Sequence, residues 1–349
     1  MTTAFRTGRD PLGCHRVLDP QGTLPQAADR LDNSLPPFED EVQIAVERLN
    51  VDAASFTQLE STGRPVAQQI EEIVKQRGKM QNPVTGSGGM LLGRIAAIGP
   101  AYEGCLKGLP VGTPVATLVS LTLTPLHLKR ILAVHPHAHQ VEVEAFAMLP
   151  SSAPAAVVPA DLAPTLALSV LDVCGAPALV HRMVQRVPQN GHMLFIGAGK
   201  SGVLSMAAAR AVRPDLKLWA IDRYQGPLDE AYAAGLCDGV HAVDAADALA
   251  VRAAVQEFTH GALADAVIHM TSLPGTEMAG ILATKKRGTC LYFGMATSFS
   301  RVALGAEGVG ADIDLLIGNG FVEGHADLAM DLVRANPRLR GLMSKRLGL

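Results

Sequence analysis

Aromatic residues are scarce in this chain: Phe, Trp and Tyr together make up 4% of its 349 residues. Strand-rich antiparallel proteins draw heavily on aromatic side chains, so an aliphatic, glycine-turned α/β protein is the better fit. An excess of either charge is also missing, since 30 Lys and Arg face 33 Asp and Glu for a formal net charge of -3. That balance gives no broad basic surface for a polyanion, and nucleic acid is not an expected partner. No apolar run reaches the roughly 20 residues needed to span a bilayer, and the opening MTTAFRTGRDPLG lacks the apolar core of a secretory signal. A soluble, cytoplasmic protein with no membrane partner is expected. The five cysteines, Cys14, Cys105, Cys174, Cys237 and Cys290, form no CxxC pair, which argues against a zinc ribbon, a redox motif or a disulfide framework.

What the chain does have is glycine, 34 residues of it, and a hydrophobic share of 48%. Its length exceeds what one core usually supports, so two domains are expected. Up to Pro37 the text is rich in Pro, Gly and Asp and reads as irregular or short edge structure. From Glu41, EVQIAVERLNV alternates apolar and polar residues as a half-buried strand does. VAQQIEEIVKQ then sets Val66, Ile70 and Ile73 at helical spacing, followed by a polar, glycine-rich loop from Arg77 to Gly89. Strands are expected at Met90 to Ile98 and Pro114 to Leu118, with the turn-rich spacing of a small barrel. SSAPAAVVPADLAPT, from Ser151 to Thr165, looks like a boundary. The expected limits are 1–160 for a mainly β first domain, 161–320 for a second domain and 321–349 for a C-terminal helical segment. In the second domain HMLFIGA, KLWAID, GVHAVDA, DAVIHM, GTCLYFG and IDLLIGNG alternate with helical stretches and would form six parallel strands.

The first of those strands runs into Gly197-Ala198-Gly199-Lys200-Ser201-Gly202, and VLSMAAARAV after it reads as a helix. A GxGxxG between strand and helix is the dinucleotide fingerprint of a doubly wound Rossmann sheet. Gly197 would make the tight turn, Gly199 would let the backbone approach a pyrophosphate, and Gly202 would let the helix pack on the strand. Lys200 and Ser201 stand at the helix start, where backbone amides face the anion. The segment is not a P-loop, because Leu194 stands where that motif needs its first glycine. Asp222 ends KLWAID, about twenty residues on, where a carboxylate can take the ribose hydroxyls; this favours NAD. Arg223 beside it could meet a 2′-phosphate, which leaves NADP open, and Asp222 capping a turn is the plain structural alternative.

With these motifs in place, the chain resembles the medium-chain dehydrogenase/reductase architecture, in which a GroES-like substrate domain precedes a Rossmann domain. Its zinc-using members carry Cys, Gly-His-Glu and Cys or Asp at places matched here by Ser55, Gly86-Ser87-Gly88 and Leu171 or Asp172. A hydroxyl and a glycine are not adequate zinc donors, so no metal is expected. A closer resemblance is to the L-erythro-3,5-diaminohexanoate dehydrogenase family of lysine fermentation. It is carried by the blocks GCHRV (Gly13 to Val17), NVDAASFTQ (Asn50 to Gln58), RGKMQNPVTGSGGM (Arg77 to Met90), ATLVSLTLTP (Ala116 to Pro125) and TLALSVLDVCGAP (Thr165 to Pro177). Further blocks are MATSF (Met295 to Phe299), ALGAEGVG (Ala303 to Gly310) and IGNG (Ile317 to Gly320). The resemblance implies NAD(P)-dependent oxidative deamination of the 3-amino group of 3,5-diaminohexanoate, giving 5-amino-3-oxohexanoate and ammonia.

Such chemistry needs a base for the ammonium proton, a cation for the substrate carboxylate and an anion for its second ammonium. Lys79 and Arg77 could hold the carboxylate, or Lys79 could be the base if burial lowers its pKa. Glu60, Asp172 and Glu307 could act as base or bind the ammonium, with flanking glycines giving Glu307 space for a ligand. Ser55, Thr57, Thr85 and Ser87 could orient the amine. Thr297 and Ser298 follow the fifth parallel strand at its carboxyl end, where ligands of such sheets sit, and could touch nicotinamide or substrate. His135, His137 and His139 read as a solvated strand or loop, not a metal cluster. A zinc-independent quinone or enoyl reductase and a non-catalytic dinucleotide sensor share the same fingerprint. A homodimer is expected, since a strand beyond IDLLIGNG could pair across a two-fold.

Overall fold

The structure is a computed structural model that describes residues 4–118, 120–271, 273–294 and 296–349. The start of the N-terminal stretch, Val119 of the ATLVSLTLTP block and Met295 of the MATSF block lie outside the described residues. The chain divides into two compact units, residues 1–172 with Gly348, and residues 173–347 with Leu349.

The first unit begins with irregular chain and a minimal strand pair, β1 (Val17–Asp19) and β2 (Arg30–Leu31), as the turn-rich composition leads one to expect. Strand β3 (Glu41–Asn50) is followed by helices α1 (Ala53–Ser61) and α2 (Val66–Arg77), then by β4 (Met90–Ile98), β5 (Pro114–Thr117), β6 (Leu126–His135), β7 (Gln140–Pro150), β8 (Ala155–Val157) and α3 (Pro164–Leu171). Six of these strands make one antiparallel sheet in the order β6-β7-β3-β4-β5-β8. The stretch 151–165 therefore contributes a sheet strand, β8 against β5, and α3 stays within the first unit. Strand β3 is central, flanked by β4 and β7. Its residues are buried nearly without alternation from Glu41 to Val46, because both faces are covered where an edge strand would show one to water. Helix α2 turns Ile70, Ile73 and Val74 inward and stops at Gly78, whose φ of 68° is the left-handed cap that a glycine accepts without strain.

A buried ion pair ties the N-terminal segment to this sheet. Arg16 and Glu41 are 1% and 0% exposed. Arg16 donates from Nε to Oε1 at 2.8 Å and from Nη2 to Oε2 at 2.6 Å, a two-pronged, charge-assisted contact. The remaining guanidinium nitrogen donates to the carbonyls of Asp32 and Ser34, the Phe38 amide donates to Glu41, and the His15 ring reaches the same carboxylate at 3.0 Å. His15 and Arg16 thus act here as a clamp.

The second unit contains α4 (Gly175–Met183), β9 (His192–Ile196), α5 (Lys200–Val212), β10 (Lys217–Asp222), α6 (Gln225–Ala233), β11 (Gly239–Ala242), α7 (Ala248–Phe258) and β12 (Ala264–His269). It continues with α8 (Glu277–Ala283), β13 (Thr284–Tyr292), α9 (Phe299–Gly308), β14 (Asp314–Ile317), α10 (His325–Ala335) and α11 (Pro337–Arg346). All six apolar runs read from the sequence are strands. They pair in parallel in the order β11-β10-β9-β12-β13-β14. The winding reverses between β9 and β12, which makes the carboxyl end of β9 a topological switch point. Aliphatic side chains such as Leu194, Ile221 and Val267 are fully buried against α7, α8 and α9. Among the described residues no single helix is long and apolar enough to cross a membrane.

The Arg16–Glu41 pair predicts an acid-sensitive fold. Burial alone would raise the Glu41 pKa, but hydrogen bonds from Arg16 and His15, the Arg16 charge and the Phe38 amide outweigh it and hold the group at about 2. A carboxylate whose folded pKa lies below its unfolded value stabilises the fold above about pH 4.5, and that stability is lost as pH falls toward 2. The contribution is roughly 3 kcal/mol. Urea unfolding at stepped pH is expected to show stability falling through this window. Glu41→Gln should cost about 3–5 kcal/mol at neutral pH and show a shallower fall; an unaltered pH dependence in that variant would contradict the clamp.

Candidate functional site

The glycine fingerprint has the backbone geometry its residues call for. Gly197 sits at φ 108°, a conformation side chains rarely adopt. A Cβ on Gly202 would lie 2.1 Å from the Gly197 carbonyl oxygen, so helix α5 seats on the turn only because both residues lack side chains. Around Gly199 the opposite holds: an added Cβ would meet nothing within 4 Å. The amides of Lys200, Ser201 and Gly202 open α5 beside this space, and first-turn amides have no acceptor within their own helix. Open room next to such donors fits a pyrophosphate.

The carboxyl ends of β9, β10, β11 and β12 enclose a cavity of about 310 Å³ that includes Gly197, Gly199, Asp222, Tyr224, Ala245 and Thr271. Its walls also carry Ile221, Val243 and Leu273, apolar surfaces suited to a flat base. Asp222 accepts the Ala198 amide on Oδ2 at 2.9 Å and the Tyr224 amide on Oδ1 at 3.1 Å. The carboxylate therefore closes a turn and steadies the glycine loop together. Each oxygen has a second lone pair, so acceptors remain for ribose hydroxyls. Arg223 is exposed, its guanidinium 4.6 Å from the Tyr224 ring centre.

One contact at this loop carries no local sequence signal. Arg346, in the last turn of α11, donates from Nη1 to the Ala198 carbonyl at 3.0 Å and from Nε to Glu230 of α6 at 3.0 Å. A basic residue near the end of a helix is commonplace, and only the fold shows that it reaches the loop.

In the first unit the structure gathers some of the expected hydroxyls. Ser55, buried in α1, lies 2.6 Å from the Thr85 hydroxyl, and Thr85 accepts the Ser87 amide at 3.3 Å. Asn82 organises this loop: it donates to the Gln58 side chain at 2.8 Å, and its Oδ1 accepts the Val84 amide at 2.8 Å. Sequence reasoning passed over Asn82, although an Asn followed by Pro is a turn signal. At 3.6 residues per turn neither Thr57 nor Glu60, both exposed, shares the Ser55 side of α1. Arg77 donates to Gln81 at 2.8 Å and lies 3.3 Å from Asp29.

Lys79 is fully buried and donates to the carbonyls of Pro25 at 2.8 Å and Gln26 at 3.3 Å. Burial, followed by the Arg77 charge, lowers its pKa to about 8. In this arrangement the amine is occupied in fastening the N-terminal segment. Asp172 follows the last turn of α3. Glu307, whose flanking glycines were expected to leave space for a ligand, lies in the final turn of α9. Because α9 starts at the carboxyl edge of the sheet, its final turn lies toward the opposite edge, away from the cavity. Thr297 and Ser298 do stand at the carboxyl edge, between β13 and α9, where Ser298 caps the helix. The His135–His139 run is a strand end and a single helical turn. Among the described residues no three His, Cys, Asp or Glu side chains converge as metal ligands, and the described cysteines are all free.

Two glycines with opposite surroundings give a discriminating test. Gly199→Ala should leave thermal unfolding unchanged yet weaken dinucleotide binding by at least about tenfold, or 1.4 kcal/mol. Gly202→Ala should weaken binding and lower the melting temperature together. Calorimetric titration with NAD beside thermal denaturation reads both, and full affinity in Gly199→Ala would contradict this placement of the pyrophosphate.

Comparison with known proteins adds a second line. Residues 15–159 match the model of the L-erythro-3,5-diaminohexanoate dehydrogenase N-terminal domain. L-erythro-3,5-diaminohexanoate dehydrogenase of Acetoanaerobium sticklandii is 40% identical over 338 residues, covering 95% of this chain and 97% of the relative. The enzyme of the same name from Fusobacterium nucleatum is 41% identical over 340 residues, covering 95% and 97%. Among solved structures, a mycobacterial protein complexed with NADPH superposes with a TM-score of 0.57 at 18% identity, covering 89% of this chain and 90% of that one. D-arabinose dehydrogenase from Sulfolobus solfataricus gives 0.55 at 15% identity, covering 88% and 90%. These likenesses show the fold: a Rossmann sheet preceded by a GroES-like domain.

Proposed function

The chain belongs to the L-erythro-3,5-diaminohexanoate dehydrogenase family, and we propose that it oxidatively deaminates L-erythro-3,5-diaminohexanoate at carbon 3 in lysine degradation. The products are 5-amino-3-oxohexanoate and ammonia. The observation that carries the proposal beyond family membership is the open space over Gly199 beside an aspartate at the end of β10. Those residues fit a nicotinamide dinucleotide, which supplies the hydride acceptor when bound.

The protein's own share of the work is binding, orientation and proton handling. Asp222 takes the ribose hydroxyls and disfavours a 2′-phosphate by charge, so NAD is the preferred cofactor; Arg223, exposed beside it and paired with the Tyr224 side chain, tolerates NADP. The carbon 3 amine must be neutral before the hydrogen on carbon 3 itself leaves as hydride, and water must then add to the resulting imine so that ammonia departs. The Ser55 and Thr85 hydroxyls orient that amine, each able to donate and accept, and Ser87 supports them through the loop. Arg77 supplies the cation for the substrate carboxylate. We place the enzyme in the cytoplasm as a homodimer: β14 is an edge strand of the parallel sheet, and the exposed Ile317, Phe321 and Phe299 lie on or near it.

Purified protein given the diamino acid and NAD should form NADH and ammonia in equal amounts. Indifference to the diamine, with oxidation of NADPH by quinones, would overturn the assignment. Asp222→Asn keeps an acceptor for the Ala198 amide while removing the charge, and should move the NAD to NADP preference by about tenfold or more toward NADP. Ser55→Ala should lower kcat/KM for the diamine by about tenfold with cofactor affinity unchanged.

A further inference from the structure

We infer that Glu277 is a positioning residue whose buried carboxylate binds together the loops leaving β12 and β13, and so holds Thr297 where a bound ligand completes its hydrogen bonding. The inference rests on the dinucleotide-dependent activity proposed above. Glu277 opens α8 and is 3% exposed. A carboxylate this deep needs hydrogen-bond partners. Its Oε1 accepts the Ser298 backbone amide at 3.0 Å, and its own carbonyl accepts the Tyr292 hydroxyl at 2.6 Å. Tyr292 ends β13 and Ser298 caps α9, so one residue bonds both the strand end and the helix cap.

The neighbouring loop is fastened just as closely. His269 ends β12 and its Nε2 lies 3.0 Å from the Thr276 carbonyl; a carbonyl can only accept, so that nitrogen carries the proton. The hydroxyls of Thr271 and Thr276 are 2.8 Å apart. A Cβ on Gly294 would fall 2.2 Å from the Thr271 carbonyl oxygen, which seats the two loops backbone against backbone. Within this frame the Thr297 hydroxyl oxygen is buried and has no hydrogen-bond partner among the described residues. Leaving a buried hydroxyl unpaired is unfavourable. Thr297 stands at the carboxyl edge of the sheet, one packed loop from Thr271, which lines the nucleotide cavity. A polar group of the bound ligand is the partner that geometry leaves open.

The test compares Glu277→Ala, Glu277→Gln and Thr297→Val in the full chain, with steady-state kinetics, thermal melting and calorimetric titration with ADP-ribose, which probes the glycine cradle alone. ADP-ribose affinity should stay within about twofold throughout, while Glu277→Ala and Thr297→Val lose at least about tenfold in kcat/KM for NAD. Glu277→Gln keeps an oxygen for the Ser298 amide and should recover to within about threefold. Should Glu277→Ala not fold, Glu277→Asp, a methylene too short to reach that amide, makes the same comparison. Unchanged kinetics in Glu277→Ala or Glu277→Asp, no recovery in Glu277→Gln, or ADP-ribose weakened in step with NAD would overturn the inference alone. No ADP-ribose binding by the unaltered protein would remove the dinucleotide proposal as well.

Discussion

The nucleotide end of this protein depends on one close approach. Helix α5 can start where it does only because Gly202 has no side chain to strike the Gly197 carbonyl, where a Cβ would lie 2.1 Å away. That contact aims the first amides of α5 at the carboxyl edge of the sheet, beside the switch point between β9 and β12. Asp222 then reaches back to the Ala198 amide, and Arg346 holds the carbonyl of the same residue. A loop fixed in this way before ligand arrives has less freedom to lose on binding.

The first unit solves a different problem. Its N-terminal segment has little regular structure, and a buried guanidinium–carboxylate pair fixes it where a sheet ladder would otherwise do so. The pair is satisfied on nearly every side, with the Asp32 and Ser34 carbonyls on Arg16 and the Phe38 amide on Glu41. Lys79 plays a similar part nearby by donating to Pro25 and Gln26. Buried charges that look catalytic in a sequence can thus be fasteners, and the distinction lies in what their polar atoms touch. The hydroxyls of Ser55 and Thr85 are different, for they meet each other at the mouth of a turn shaped by Asn82.

Much of the architecture was legible from the residues. The six parallel strands are short aliphatic runs separated by helical stretches, a pattern with few other solutions. Helix α2 and strands β3, β4 and β5 also stand where periodicity put them, although β3 is buried on both faces and its alternation was only apparent. Strands β6 and β7 were not read. LHLKRILAVH carries charge on an exposed edge strand, and VEVEAFAM follows it directly after a histidine-rich helical turn. The glycine cradle and Asp222 were legible because each residue there meets a backbone requirement. Glu277, Arg346 and Asn82 were not, since their partners lie far away in sequence or are backbone atoms that no spacing rule reveals. The glycines around Glu307 suggested room for a ligand, yet ALGAEG is helical and places that residue in the last turn of α9, toward the far edge of the sheet.

The central claim is that a nicotinamide dinucleotide lies in this cradle and serves amine oxidation. A crystal structure of the complex with NAD and the diamino acid tests it most directly. The account predicts the pyrophosphate over Gly199 and against the first turn of α5, with both adenosine ribose hydroxyls on Asp222. A dinucleotide bound anywhere else, or a cradle that closes over Gly199 when ligand is present, would contradict it.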